Sequence, residues 1–404
     1  MSKSWWVFCL ATGTYMMAFI QRSAPGLVTD RLAAVFGVPP AAMGELALGQ
    51  FVAYAALQLP VGLVGDRFGP ARWLAVGALL DGGGTMLFSQ VHSFAWLVVS
   101  RGIIGLGDAM LFVNIVLLLG RWFPPTVFGR LLSVVGTSGG AAATITTVPL
   151  AWLLSVWGWR PSFLLMGGVL VGLALLAAAL LPRWEREAPG HGVRVVRPAD
   201  TRLVLRHVTT AIRGWIPFAM HFGLIGAYTG FVAIYAVPYL MATHHLSRVA
   251  AGGIESIAML GSVLGGPLAG WAADRFGPAR PASLVAVVAL AGWVILALWP
   301  NAPLALTAVG LSLTAVAAGG AMLTFAVVKS WFPATEVGSA TGLANTGGFV
   351  AAALFPLLVG RLIGHGWGVA LLPGLGFSLV GLAATWVVRL LDAPRTLSAT
   401  ERAT

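Results

Sequence analysis

Twelve long apolar segments follow one another along the 404-residue chain, and they constrain its fold more than any other feature. Hydrophobic residues make up 58% of the chain and charged residues only 9%, against roughly 25% charged in ordinary soluble domains. A single soluble core has too little interior to hide so many apolar side chains, so lipid must cover them. Each helical crossing of a bilayer needs about 20 apolar residues, which the chain supplies about twelve times.

We expect every crossing to be a helix, because only a helix satisfies its own backbone hydrogen bonds within lipid. The many Gly and Ala residues of these segments favour close contacts between neighbouring membrane helices. The predicted fold is therefore an all-α integral membrane fold. Its expected crossings span residues 5–28, 42–65, 71–90, 95–119, 128–153, 161–182, 214–240, 249–273, 281–299, 304–328, 338–363 and 367–391.

The remaining composition argues against several other classes of protein. The lone cysteine, Cys9, can form neither an internal disulfide nor a zinc cluster, and we expect no metal and no other cofactor. The first apolar segment starts at Trp5 and is too long for the hydrophobic region of a cleavable signal peptide. The net charge of +11 suggests nucleic acid at first sight. In a membrane protein an excess of Lys and Arg in cytoplasmic loops explains it better, so no nucleic-acid partner is predicted.

The basic residues predict the orientation. With the N-terminus inside, 18 of the 24 Lys and Arg residues fall on the cytoplasmic side, as the positive-inside rule requires. We therefore expect a multi-pass protein of the cell membrane, a monomer, with both termini in the cytoplasm. The long polar segment 183–213 is then a cytoplasmic linker between residues 1–182 and 214–404, and its part from Thr201 to Arg213 is expected to lie along the membrane as an amphipathic helix.

The two parts of the chain repeat one another. Residues 65–72 recur as residues 273–280, an offset of 208, and Gly158-Trp159 recurs as Gly366-Trp367 at the same offset. Trp122-Phe123-Pro124 recurs one position further on, as Trp331-Phe332-Pro333. Matches at one offset indicate a duplicated six-helix unit, with two pseudo-symmetric bundles related by an axis along the membrane normal.

A motif at the second and third crossings resembles the signature of the major facilitator superfamily of transporters. It reads Gly62-x-x-Gly65-Asp66-Arg67-Phe68-Gly69-x-x-Arg72, and its copy between the eighth and ninth crossings carries Asp274, Arg275, Gly277 and Arg280. Arg101-Gly102-x-x-Gly105-x-Gly107 resembles a second signature of that superfamily. The resemblance covers the whole chain and implies the twelve-helix fold, transport by alternating access and no enzymatic activity.

The motif is expected to control the cytoplasmic opening. Its first two glycines favour tight helix packing, and Gly69 favours a tight turn. Asp66 can accept hydrogen bonds at the N-terminus of another helix, where the helix dipole favours an anion. The family resemblance implies that this partner is the eleventh crossing, and that Asp274 meets the fifth. Positive-inside bias alone would explain Arg67 and Arg72, but not the repeated aspartate.

Two charges in the fourth crossing are candidates for proton coupling. Asp108 lies near the middle of the crossing, and Arg101 lies seven residues earlier on the same face. Because a charge within the bilayer is costly, such residues are functional candidates. Asp108 is expected to carry the proton, with Arg101 as its partner. The alternative is a polar pair with a purely structural role.

Arg22 in the first crossing is the candidate for binding a substrate carboxylate, since a guanidinium can bind a carboxylate with two hydrogen bonds. Depth alone leaves open that its side chain extends to the outer interface instead. The stretch Phe19-Ile-Gln21-Arg22-Ser23-Ala-Pro25 resembles the anion:cation symporter branch of the superfamily. This resemblance implies that Arg22 contacts an acidic substrate and that Asp108 takes the proton. Gln21 stands where that branch often has a second acid, which leaves the proton coupling open.

Other polar residues of the crossings are assigned by position. Asp81 is expected to serve helix packing, and Glu45 and Glu255 to lie at the outer interface. His221 has two open interpretations, a structural histidine or a residue of the cavity wall. The residues expected to line the substrate cavity beside Arg22 and Gln21 are Tyr15, Asn114, His221, Tyr228, Tyr235 and Asn345.

The sequence thus predicts a proton-coupled symporter for a small organic anion, with an efflux pump for drugs or metabolites of the same superfamily as the alternative. Two further classes fit less well. Gly105-Leu106-Gly107-Asp108 matches the G-x-G-D of intramembrane aspartyl proteases, which need a second aspartate nearby, and only Asp81 is available. A transporter-like sensor is not supported either, because the linker has an ordinary length.

Overall fold

The computed structural model of the protein describes residues 2–185, 187, 201–333 and 336–392. Some side chains within these ranges lie outside the described part, namely those of residues 59, 62–68, 125–126, 128–130, 132–133, 143, 145–146, 185, 201–203 and 205. Nearly all described residues lie in helices and none lies in a β-strand. The predicted all-α fold is therefore confirmed.

The first bundle contains six crossings and one short helix. The short helix, α2, lies between the first two crossings and meets the following helical segment at an angle of 117°. The helices are α1 (Lys3–Ser23), α2 (Thr29–Phe36), α3 (Gly44–Phe68), α4 (Pro70–Gln90), α5 (Phe94–Trp122), α6 (Pro125–Val156) and α7 (Trp159–Glu185).

The second bundle has the same order of crossings, but two of them are interrupted. The seventh crossing comprises α9, a π-helical turn at Phe222–Gly226, α10 and α11, and the tenth breaks between α14 and α15. Such interruptions are typical of helices that flank a transport site. The helices are α8 (Thr201–Thr210), α9 (Ile212–His221), α10 (Ala227–Ile234), α11 (Ala236–His244), α12 (Arg248–Phe276), α13 (Ala279–Leu298), α14 (Leu304–Gly320), α15 (Leu323–Trp331), α16 (Val337–Leu362) and α17 (Trp367–Asp392).

Length and apolarity support a membrane location for most of these helices. Among the described residues, nine helical spans are long and apolar enough to cross a membrane, and a bent pair that includes α2 brings the number to ten. α1 and α4 are not among these spans, but with 21 residues each they are long enough to cross.

The duplicated sequence folds into duplicated backbone. Gly69 and Gly277 both end a helix with positive φ, 94° and 73°, and Gly158 and Gly366 do the same at 83° and 96°. A side chain is strained in this region of φ, whereas glycine is not. The tight turn predicted at Gly69 is therefore present, and it recurs in the second bundle at the predicted offset.

The segment after the first bundle forms a helix where an amphipathic one was predicted. α8 spans Thr201–Thr210, and its His207 ring lies 2.9 Å from the Glu336 carboxylate. Val208 of the same helix is buried against Val328 and Phe332. Residues 186 and 188–200 lie outside the described residues, so the limits 1–182, 183–213 and 214–404 stay a prediction.

The two bundles meet along α3 with α16 and along α6 with α12. We call the face where α1 ends and α3 begins the distal side, and the face where α1 begins and α17 ends the terminal side. On the distal side, Tyr235 donates a hydrogen bond to the Pro40 carbonyl at 3.1 Å. Arg248 donates to the Leu27 carbonyl and pairs with Asp30 at 2.6 Å. These contacts between bundles close the distal side.

Candidate functional site

Four helices of the first bundle bring a set of polar side chains together inside the protein. Arg22 lies in the last turn of α1, where the helix dipole favours a cation, and Pro25 follows in a 3-10 turn. Gln50 lies on α3, Asp81 on α4, and Arg101 and Asp108 on α5. We call these five residues together with Gln21 the polar cluster. None of the six side chains is more than 8% exposed.

The central contact of the polar cluster joins Arg22 to Asp108. The Arg22 Nε donates to Asp108 Oδ2 at 3.2 Å, and Nη2 lies 3.1 Å from Oδ1. The Gln50 amide donates to the same Oδ2 at 2.6 Å. Asp108 is therefore held by one cation and one amide, and the residue predicted for the substrate is bound to the residue predicted for the proton.

The expected pairing of Asp108 with Arg101 is not observed. Although both side chains leave α5, the Arg101 guanidinium donates to the side-chain oxygens of Gln21 and Gln50 and to the Arg22 carbonyl. The reason is helix packing: Gln21 and the Arg22 carbonyl on α1, and Gln50 on α3, supply the hydrogen-bond acceptors of Arg101. Arg101 is thus a buried cation that binds neutral oxygens, and it positions the two glutamines.

Asp81 belongs to the polar cluster, although the sequence suggested only a packing role. Gln21 donates to Asp81 Oδ1 at 2.9 Å, and Asp81 also interacts electrostatically with Asp108. The Oδ2 atom of Asp81 has no hydrogen-bond partner among the described residues. Gln21 therefore connects an acid to Arg101, at the position where the related branch often has a second acid.

The glycines of the protease-like motif have a packing role in this structure. A Cβ atom on Gly105 would overlap the Gln50 carbonyl, and one on Gly107 would lie 3.0 Å from the Asp81 Cβ. These glycines allow α3 and α4 to approach α5 closely enough for Gln50 and Asp81 to reach Asp108. The two aspartates do come together, as a protease would need, but arginine and amide groups bind them.

Aromatic rings cover the Arg22 guanidinium on the side of the second bundle. Its Cζ lies 4.4 Å from the Phe19 ring centroid and 5.5 Å from that of Tyr54, within the range of cation–π attraction. Tyr54 in turn stacks on Phe349 of α16, with centroids 3.7 Å apart. Tyr15 is buried one turn further along α1 and contacts Phe19. The sequence analysis missed Tyr54, which joins the polar cluster to the second bundle.

Asn114 lies next to a small cavity on the terminal side of the cluster. The cavity has a volume of about 190 Å³, and Met110 and Trp73 also line it. The Asn114 amide donates to the Met110 carbonyl at 2.6 Å, while its oxygen has no hydrogen-bond partner among the described groups. Asn114 is six residues from Asp108, about 9 Å along α5.

The second-bundle residues predicted to line the cavity do not form one group. Tyr235 lies on the distal side, where its hydroxyl contacts Pro40, so its observed role is in closing that side. Asn345 donates to Gln58 of α3 at 2.6 Å and thereby joins the bundles. His221 is buried against Phe325 at the break of the tenth crossing and shares a hydrogen bond with Asn345. Tyr228 interacts electrostatically with Glu255, as described below.

One acid was placed wrongly by the sequence analysis. Glu255 was expected at the outer interface, but its side chain is only 5% exposed. Glu45 is exposed, as expected. The error arises because depth along a crossing does not reveal which face of the helix packs inward.

The signature motif is described only in part. Gly62, Gly65, Asp66 and Arg67 lie in α3, but their side chains lie outside the described part, so the Asp66 contact stays a prediction. Arg72, Arg275 and Arg280 are exposed at the terminal ends of the helices. Asp274 is exposed and has no hydrogen bond or ion pair with any described group. Because side chains at the terminal end of the fifth crossing lie outside the described part, the expected contact of Asp274 with that crossing also stays a prediction.

These observations define a polytopic membrane protein of two helix bundles with a buried charge network in the first, which is the architecture of a carrier. The chain belongs to the Major Facilitator Superfamily, whose sequence profile matches residues 8–236 and 217–404.

Individual proteins resemble it more distantly. The chain is 26% identical to the gentisate transporter of Corynebacterium glutamicum over 375 residues, covering 90% of this chain and 81% of the relative. It is 24% identical to the D-galactonate transporter of Escherichia coli over 420 residues, covering 95% and 94%. A solved structure of a bacterial homolog of the lysosomal transporter Spinster superposes with a TM-score of 0.69 at 19% identity, covering 97% and 96%. This likeness at low identity concerns the fold alone.

Proposed function

We propose that the protein is a secondary active transporter that carries a small organic monoanion, a carboxylate, by alternating access and in symport with a proton. The proposal rests on the ion pair between Arg22 and Asp108. A substrate carboxylate and the Asp108 carboxylate need the same guanidinium. Protonation of Asp108 removes its charge and frees Arg22 for the substrate, so proton and anion bind together.

The charges of the polar cluster support this order of events. With Asp81 and Asp108 both ionised, their two negative charges balance the two positive charges of Arg22 and Arg101. A substrate anion at Arg22 then adds a third negative charge in a site where unbalanced charge is costly. One proton on Asp108 restores neutrality. The bundles can then change their relative orientation without moving a net charge out of the cluster.

The closed distal side supports alternating access. In this conformation the bundles join through Arg248, Asp30 and Tyr235, while Asp274 on the terminal side has no partner among the described groups. If the positive-inside orientation holds, the terminal side is cytoplasmic, and the cell membrane is the expected location. The transporters of gentisate and D-galactonate, both monocarboxylates, support the substrate class.

The test of the proposal is substrate binding to Arg22 variants. Purified protein is titrated with gentisate, D-galactonate and simpler carboxylates, and binding is measured as thermal stabilisation, because a ligand that binds the folded state raises its apparent stability. Arg22→Ala should abolish binding, and Arg22→Lys should weaken it because lysine lacks the planar fork. Arg361→Ala removes an exposed arginine of α16 and is the matched control. Wild-type affinity in Arg22→Ala would overturn the proposal.

A further inference from the structure

Glu255 is a buried acid that the polar cluster does not use. It lies on α12, in the second bundle, with 5% of its surface exposed. Its Oε1 atom has no hydrogen-bond partner among the described groups, and none of the ion pairs observed there includes this residue. Burial of a carboxyl group without partners is unfavourable. The position of Glu255 therefore needs an explanation other than stability.

A second buried polar group acts on the same acid. The Tyr228 hydroxyl of α10 is buried and interacts electrostatically with Glu255. Its hydrogen-bond partner is the Ser262 side chain, two turns further along α12. The neighbouring helix α14 carries no charged residue between Leu304 and Gly320, and no described arginine or lysine pairs with Glu255. The pair of Glu255 and Tyr228 thus offers an acceptor and a phenol without a cation.

Leu27 provides a common reference for the depths of Glu255 and Arg22. A Cβ atom on Gly252 of α12 would lie 3.7 Å from the Leu27 side chain, so these two residues are level. Glu255 lies three residues beyond Gly252 on α12, which is roughly 5 Å closer to the terminal side at 1.5 Å per residue. Arg22 lies five residues before Leu27 on the first crossing, which is roughly 8 Å closer to the same side. Arg22 and Glu255 therefore lie at similar depths on opposite bundles.

A chain of close contacts connects Arg22 to the helix that carries Glu255. Arg22 lies over Phe19, and Phe19 lies against Gly139 of α6. A Cβ atom on the next residue, Gly140, would lie 3.8 Å from the Ser262 hydroxyl. Ser262 is the partner of Tyr228 and lies two turns from Glu255 on α12.

We infer that Glu255 and Tyr228 form a second subsite, which binds a hydroxyl group of the same anion whose carboxylate is bound by Arg22. The hydroxyl donates to the Glu255 carboxylate, and the Tyr228 phenol donates to the hydroxyl oxygen. A second carboxylate on the substrate would find no cation there, because no described arginine or lysine pairs with Glu255. The substrate class is therefore a hydroxy monocarboxylic acid. This inference rests on the proposed function and adds a specificity to it.

Matched pairs of ligands test the subsite directly. D-Galactonate and hexanoate have the same carbon chain with and without hydroxyls, as gentisate and benzoate have the same ring. Wild-type protein should bind the hydroxylated member of a pair about tenfold to a hundredfold more tightly, the range expected for hydrogen bonds to a charged group. In Glu255→Met this preference should disappear, while hexanoate and benzoate keep their affinity.

Two further variants separate specificity from structure. Glu255→Gln keeps an acceptor and should retain part of the preference, whereas Glu45→Gln, at the exposed acid that matches Glu255 in the duplication, should change nothing. Glu255→Met should also melt at a higher temperature than wild type, since it removes an unpaired buried carboxyl group. An unchanged hydroxyl preference in Glu255→Met would overturn the inference, as would an equal loss of affinity for all acids.

The ligand series also distinguishes failure of the inference from failure of the proposed function. If carboxylates bind through Arg22 but Glu255 does not affect the hydroxyl preference, only the second subsite is refuted. If 6-aminohexanoate binds wild type more tightly than D-galactonate, and Glu255→Gln removes that advantage, the subsite binds an ammonium group and the hydroxyl assignment is wrong. If no carboxylate binds, the proposed function itself is refuted.

Discussion

Replacement of Asp108 by asparagine should separate substrate binding from its dependence on pH. In the wild-type protein the Asp108 carboxylate occupies the Arg22 guanidinium through contacts of 3.2 and 3.1 Å. A substrate carboxylate must therefore wait for a proton on Asp108. Asp108→Asn mimics the protonated side chain, keeps a similar shape and leaves Arg22 available at every pH. The variant should bind substrate and exchange it across a membrane without concentrating it.

The size of the pH effect on substrate affinity follows from the linkage between proton binding and substrate binding. If binding of one anion requires the uptake of one proton from solution, the wild-type Kd rises tenfold for each pH unit, which corresponds to about 1.4 kcal/mol per unit. Asp108→Asn should show a flat profile over the same range. Because Arg22 loses its partner in this variant, its affinity at high pH should exceed that of the wild type.

The assay is calorimetric titration of purified protein between pH 5.5 and 8.5, with a monocarboxylate such as gentisate whose own carboxyl group stays ionised throughout. Glu45→Gln, which removes an exposed acid, is the control and should keep the wild-type slope. A wild-type slope in Asp108→Asn would show that the proton binds elsewhere. Complete loss of binding in a folded Asp108→Asn would show that the carboxylate itself is needed by the substrate.

Three further results are expected. Gly105→Ala should lower the stability of the first bundle by about 1–3 kcal/mol in thermal unfolding, because the new methyl group overlaps the Gln50 carbonyl. Gly83→Ala is the control and should leave the stability unchanged, because its methyl group meets no atom within 4 Å. Burial raises the pKa of Asp30, but the hydrogen bond and charge of Arg248, together with two backbone hydrogen bonds, lower it to below the ordinary value of 3.8. The Asp30–Arg248 contact is therefore present at neutral pH and lost as the pH falls through this lowered pKa. Spin-label distances across the distal side should lengthen there, or at pH 7 in Asp30→Asn; unchanged distances would count against a closing role. Asp66→Asn should favour conformations open on the terminal side, because an amide binds a helix N-terminus less well than an anion, and identical terminal-side distances in variant and wild type would contradict that role.

The fold was predictable because it depends on patterns that are visible in the sequence itself, namely long apolar segments and an internal duplication. Apolar segments of sufficient length must become helices in lipid, and the duplication repeats even the left-handed glycines, Gly69 with Gly277 and Gly158 with Gly366. Arg22, Arg101 and Asp108 stood out because charge is rare within a membrane.

The partners within the site were not predictable, since they depend on how each helix is rotated about its axis. The sequence suggested that Asp108 pairs with Arg101 along one helix. In the structure α1 packs against α5, and Asp108 forms its ion pair with Arg22 instead. Gln50 was missed because an amide in an apolar helix attracts less notice than a charge, although it contacts both Asp108 and Arg101. Glu255 was assigned to the surface because its depth was known and its facing was not.

Simultaneous measurement of substrate and proton flux in proteoliposomes tests the central claim most directly. With the lumen made alkaline relative to the outside, a monocarboxylate such as D-galactonate should accumulate inside together with protons, and a protonophore should stop the accumulation. Arg22→Ala should transport neither substrate nor protons. Asp108→Asn should exchange labelled for unlabelled substrate without accumulation. Accumulation that continues after the pH gradient and membrane potential are collapsed, or that survives in Asp108→Asn, would contradict proton symport through the Arg22–Asp108 pair.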